Sequence, residues 1–192
     1  MAVRFALTRI VPSLLLYVAL LACAVLVDAI LHFAGVASIG RWFGPAGTAI
    51  LLASFLYSLR KRKLVRTGSP RSLLAAHEIL GWGGALLLLV HGGIHLNAAL
   101  PWVAVAAMLV VVGSGLTGKF LLAEARESLK SREEELAREG RSAGEIEREL
   151  LGHSLLVGTM QQWRRVHMPL TMVFAALALL HVASVVLFWR WR

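Results

Sequence analysis

The chain has 192 residues, 58% of them hydrophobic, with a mean hydropathy of +0.71 and a formal net charge of +9. That hydropathy excludes an ordinary soluble domain, and the single cysteine, Cys23, excludes a disulfide framework or a cysteine-rich metal centre. A nucleic-acid partner is excluded as well. Nine of the eleven acidic residues lie between Glu124 and Glu149, and the basic residues gather at the ends of apolar runs, as membrane topology signals do.

The first apolar run, Met1 to about Phe33, follows Arg4 and Arg9 and is long enough to span a bilayer. Leu20-Leu21-Ala22-Cys23 imitates a lipoprotein cleavage box, but the run is read as an uncleaved first helix. Asp28 and His32, one turn apart near its far end, form a polar pair at the membrane boundary. After a loop at Gly35 to Gly40, a second run extends from about Trp42 to Leu59. It ends in Arg60-Lys61-Arg62-Lys63, with Arg66 and Arg71 behind. This basic cluster places the following loop, and with it the N-terminus, in the cytoplasm.

Ser69-Pro70 supplies an N-cap and a first helical residue for the third span. Its His77, Gly81, Gly84, Leu88, His91 and His95 recur in steps of four and three, which keeps them on one stripe. Gly81, Gly83, Gly84, Gly92 and Gly93 leave room beside the histidines. The fourth span follows Pro101, from about Trp102 to Leu122. Its Gly113-x-Gly115-x-x-Gly118 imitates a dinucleotide fingerprint but lies in an apolar helix with no preceding strand. From 123 to 165 a charged cytoplasmic connector is expected: a helix continuing the fourth span, a break at Gly140 to Gly144, and a second short helix from Glu145 to Leu151. It is read as solvated, with a docking surface for a soluble partner as the alternative. Trp163-Arg164-Arg165 marks the next boundary, and the last span runs from about Val166 to Trp189, leaving the C-terminus outside. The prediction is an all-α, polytopic transmembrane bundle of about five spans, residues 1–192 forming a single unit in a cytoplasmic (inner) membrane.

Thirteen residues separate His77 from His91, and the same number separates His167 from His181. Fourteen residues of α-helix rise roughly 21 Å and make almost four turns, so each pair projects from nearly one face at two depths. The third and fifth spans run in the same direction, so His77 meets His167 at the inner level and His91 meets His181 at the outer. Two imidazoles at each of two levels suit two haem b groups with bis-histidine iron, and such iron favours electron transfer. A zinc or di-metal site is disfavoured, because no carboxylates accompany either level. Arg71, Arg164 and Arg165 lie near the inner level as partners for haem propionates and as topology anchors. Gly84 and Phe174 fall midway between the levels, a gap on one helix and a ring on the other. Pro169 biases Met168 away from helix, which sets His167 at a kink or just before the regular helix. His95 is the alternative outer ligand. Otherwise it lies with Asp28 and His32 near the outer surface, where a neutral histidine can take a proton from a quinol.

From Ser72 to Trp189, the histidines at 77, 91, 167 and 181 resemble the ligand pattern of the cytochrome b of respiratory quinol–cytochrome c oxidoreductases. They are similar also to the transmembrane domain of ferric reductases and NADPH oxidases, whose third and fifth spans carry the ligands. The resemblance implies transmembrane electron transfer by non-covalent haem b. No sixth span or flavin domain follows Arg192, so the expected role is an electron-transfer subunit between the quinone pool and a partner redox protein. A stand-alone ferric or other metal reductase, and a non-haem membrane anchor for a soluble complex, are the alternatives.

Overall fold

The computed structural model describes residues 11–64, 68–93 and 98–188, with backbone only for residues 61, 121–126, 128 and 151–164. Every regular element in these residues is helical. In chain order they are α1 (Val11–Phe33), a 3-10 turn (Ala37–Ile39), α2 (Gly40–Ser54), α3 (Leu56–Lys61), α4 (Pro70–Gly92), α5 (Ala99–Arg138) and α6 (Ala143–Phe188). Five stretches are long and apolar enough to cross a membrane: Val11–Phe33, Ala37–Arg60, Pro70–Gly92, Ala99–Phe120 and Arg165–Phe188. The expected five-span, all-α bundle is what the chain forms.

Each boundary has a local cause. Gly35, at φ +68°, ends α1 in the left-handed conformation that glycine adopts without a Cβ penalty, while the Val36 amide reaches back to the Leu31 carbonyl. The loop expected at 35–40 is shorter than the sequence suggested, because helix resumes at Gly40. The second span is then interrupted at Phe55, whose amide bonds Leu52 instead of continuing the α ladder. Ser69 caps α4 by accepting the Ser72 amide at 3.1 Å, with Pro70 as first helical residue. The other end of α4 closes at Gly93, so the stripe projected from His91 on to His95 stops short. His95 itself lies outside the described residues.

α4 is the central helix, packed against α1, α2, α3 and α5, whereas α6 packs extensively against α5 alone. The closest seam, α2 on α4, rests on small residues: a Cβ added at Gly84 would stand 2.7 Å from Leu51 Cγ and 3.2 Å from the Gly47 carbonyl. A small apolar core of Leu20, Ala85 and Met108 joins α1, α4 and α5, with Trp82, Val112 and Phe174 against it. None of the most apolar stretch of the last span is buried by protein, so its side chains meet lipid or space within the bundle.

The connector differs from its expected form. α5 runs unbroken for 40 residues and α6 for 46, so the second helix is not short but enters the membrane as the last span. At 1.5 Å per residue their non-spanning halves form an antiparallel hairpin projecting roughly 30 Å. The turn is a Schellman closure: Gly140 has φ +74°, and the Arg141 amide bonds the Leu136 carbonyl at 3.3 Å. Ser142 and Glu145 then form a capping box, the Glu145 carboxylate accepting from the Ser142 amide at 2.9 Å and its hydroxyl at 2.8 Å. Buried Leu136 and Leu150 lie between the helices, and Arg132 bridges Glu135 at 2.6 Å and Glu149 of the opposite helix at 2.7 Å. Those two carboxylates raise the Arg132 pKa. α6 is helical through Pro169 as well, so His167 lies within regular helix. The proline removes one amide donor, and a helix already fixed on both sides tolerates that loss.

The Ser142 hydroxyl and amide hold the Glu145 carboxyl below its ordinary value of 4.5. The cap is therefore complete above that value and is lost as pH falls through the lowered one. Ser142→Ala at neutral pH, and the unaltered protein at acid pH, should both fray the first turn of α6, with exchange of the Glu145 and Ile146 amides severalfold faster by hydrogen-exchange mass spectrometry. Exchange in the variant that matches the unaltered protein at neutral pH would show that the cap is not what holds this turn.

Candidate functional site

The four histidines lie on α4 and α6, two helices that make no extended contact with each other among the described residues. His167 lies close enough to His77 for the two imidazoles to interact electrostatically, and His181 stands in the same relation to His91. α4 and α6 are thus parallel and in matched register, with one pair toward the hairpin end and the other at the opposite end.

Three of the rings are held from behind. His77 Nδ1 lies 3.1 Å from the Ser54 carbonyl and His91 Nδ1 3.3 Å from the Gly40 carbonyl, both on α2. A carbonyl only accepts, so in both rings Nδ1 carries the proton and Nε2 the lone pair. The interruption at Phe55 puts the Ser54 carbonyl at the open end of α2, where it is available to a side chain. At the other end Gly40 and Gly44 make a seat: a Cβ on Gly44 would fall 2.7 Å from His91 Cε1 and Nε2. On α5, the Ser114 hydroxyl meets His167 Nδ1 at 2.5 Å, and Gly115 lies beside the same ring, 3.7 Å from its Cε1 to an added Cβ. Tyr57 packs tilted against His77, with ring centroids 5.6 Å apart.

Sequence reasoning missed Gly40, Gly44, Ser54 and Ser114. The signal for the glycines was present, as Gly40, Gly44 and Gly47 form a small-residue stripe. Nothing in the sequence singles out Ser114 from other membrane serines. Gly84 does lie between the two histidine levels, but its missing side chain admits α2. The open positions are Gly81 and Gly83, where an added Cβ meets nothing within 4 Å. Phe174 lies between the levels, against the Leu20–Ala85–Met108 core.

Arg71 and Arg165 are exposed at the hairpin-side end, and the Arg164 side chain lies outside the described set. At that end Lys119 joins α5 to α4 through Glu78 at 2.7 Å, immediately after His77. Asp28 and His32 are engaged with each other at the far end of α1, His32 Nδ1 lying 2.9 Å from the Asp28 carbonyl and 3.6 Å from its carboxylate. No group of three metal-ligating side chains forms among the described residues, so each level offers a pair of imidazoles and no all-protein metal cage.

The fold and these spans define a multi-pass α-helical membrane protein. Among known proteins, no family model, no curated protein and no solved structure matches the chain.

Gly84→Val should wedge α2 from α4 and lower stability by about 1–3 kcal/mol, the usual cost of overpacking. Gly81→Ala should fold as well as the unaltered protein. Thermal unfolding in detergent of both variants, purified without added ligand, makes the comparison; equal melting temperatures for all three would remove the close α2–α4 seam from the account.

Proposed function

We propose that this chain is the electron-transfer cytochrome b subunit of a membrane oxidoreductase, with one b-type haem between His77 and His167 and a second between His91 and His181. The observation that carries this reading is that His167 lies within electrostatic reach of His77, and His181 of His91, on two helices that make no extended contact among the described residues. The rings of His77 and His91 are already in the tautomer that presents Nε2 to a metal, with the carbonyl partner behind each ligand that metal-binding histidines usually have. Two protein ligands per level, with no third among the described residues, suit an iron whose remaining ligands would come from a macrocycle. Bound there, haem would supply reversible one-electron exchange, with His77, His167, His91 and His181 holding the iron.

The other residues then have definite tasks. Arg71 and Arg165 supply cations for propionates at the hairpin-side level. Phe174, in the apolar core between the levels, keeps water from the space that separates them. The basic cluster Arg60 to Lys63 sets the hairpin and the N-terminus on the cytoplasmic side of the inner membrane, and the C-terminus outside. Electrons are exchanged between the quinone pool and a partner redox protein, with quinol met at the outer end, where His91, Asp28 and His32 lie in the inferred orientation.

A reduced-minus-oxidised spectrum of the purified protein should show a b-type α band with two haems per chain. No such band after haem supplementation would overturn the reading. His77→Ala or His167→Ala should remove the hairpin-side haem and spare the other, and His91→Ala or His181→Ala should do the converse. Gly44→Ala, which displaces the His91 ring, should mimic the second pair. Equal loss of both haems from every well-folded variant would argue against two separate sites.

A further inference from the structure

Among the described residues only two polar side chains are buried, Ser54 and Ser114, each 5% exposed. Both belong to the same histidine level. Ser54 satisfies its own hydroxyl on the Leu51 carbonyl at 2.7 Å and offers its main-chain carbonyl to His77. Ser114 has its hydroxyl on His167 Nδ1 at 2.5 Å. A buried hydroxyl in a membrane helix is costly unless bonded, and this one is bonded to the His167 ring.

The second level is held differently. His91 reaches the Gly40 carbonyl at 3.3 Å, longer than the 3.1 Å from His77 to Ser54. Among the described residues no hydrogen bond to the His181 ring accompanies it; Ser184, one turn on, bonds the His181 main-chain carbonyl at 2.8 Å. One level therefore has two imidazoles tied at Nδ1, and the other has one.

We infer that Ser114 is a positioning residue that fixes His167 as the Nδ1–H tautomer and makes the His77–His167 pair the more electron-donating of the two. An imidazole that donates from Nδ1 gains electron density at Nε2 and is the stronger ligand for oxidised iron. On the two-haem reading, which this inference extends, the hairpin-side haem then has the lower midpoint potential, through outer-sphere hydrogen bonding and with axial ligand type unchanged. The two haems, though ligated alike, then form a graded pair.

Two measurements test it separately from the haem reading. In haem-free protein labelled with 15N-histidine, the His167 signal should report the Nδ1–H tautomer, and Ser114→Ala should shift it toward the Nε2–H form. A serine that donates to Nδ1 would give Nε2–H in the unaltered protein and overturn the inference, whether or not haem binds. In the loaded protein, Ser114→Ala should keep both haems and raise the lower midpoint by about a tenfold shift in the reduction equilibrium, or 59 mV for one electron. The higher midpoint should not move, and Ser114→Thr, which keeps a hydroxyl, should restore the lower one. Unchanged potentials with both haems bound would overturn Ser114's role while leaving the cytochrome reading intact. Absence of haem from the unaltered protein would remove that reading, and the tautomer measurement would still decide what Ser114 does to His167.

Discussion

The arrangement depends on hydrogen bonds that run from the back of the α4 histidines to the main chain of α2. His77 binds the carbonyl of Ser54 and His91 that of Gly40. The two acceptors are fourteen residues apart, as are the two histidines, and the helices run antiparallel, so a single register satisfies both. The seam between the contacts is closed by Gly47 against Gly84, where an added Cβ would crowd Leu51 and the facing main chain. Helix packing and ring orientation are therefore one constraint. The glycines bring α2 near enough for its carbonyls to act, and the carbonyls decide which nitrogen of each ring is free.

Much of this was legible in the sequence. Span number follows from apolar length alone, and Ser69-Pro70 names its own cap. The match in depth between the two histidine pairs followed from a repeated spacing of fourteen, which rigid helices convert directly into distance. What the sequence hid was the identity of neighbours. Gly84 sits midway between two histidines and was read as room for a ligand, but which helix fills a glycine's space is a tertiary fact. Ser54 acts through its carbonyl, a group that every residue has, and only the interruption at Phe55 makes that carbonyl available. Pro169 misled for a related reason. Its local bias against helix is real, but a helix packed extensively against α5 overrides it.

The charged segment shows the same limit from the other direction. Its composition described solvated helices, and a break at Gly140 to Gly144 was visible. Continuity from Ala143 into the membrane was not, because it rests on a capping box, on Leu136 and Leu150 buried across the hairpin, and on Arg132 reaching Glu149. Each of these is weak alone. An exposed ion pair contributes little by itself, and their joint effect is to fix one alignment of two long helices.

That alignment reaches the histidines. Among the described residues α6 packs extensively against nothing but α5, so the depth and rotation of His167 and His181 are set through α5 and the hairpin. A slip of one residue would rotate α6 by about 100° and carry both rings away from α4. Two contacts tie α5 to the hairpin-side histidines, Lys119 on Glu78 beside His77 and Ser114 on His167 itself. Tyr17 of α1 adds a third constraint on α5, packing over Gly113 and placing its hydroxyl 3.4 Å from the Leu109 carbonyl. The hairpin outside the membrane and the serine within it are thus parts of one device. The first sets the register of α6, and the second reads that register out as the orientation of a single ring.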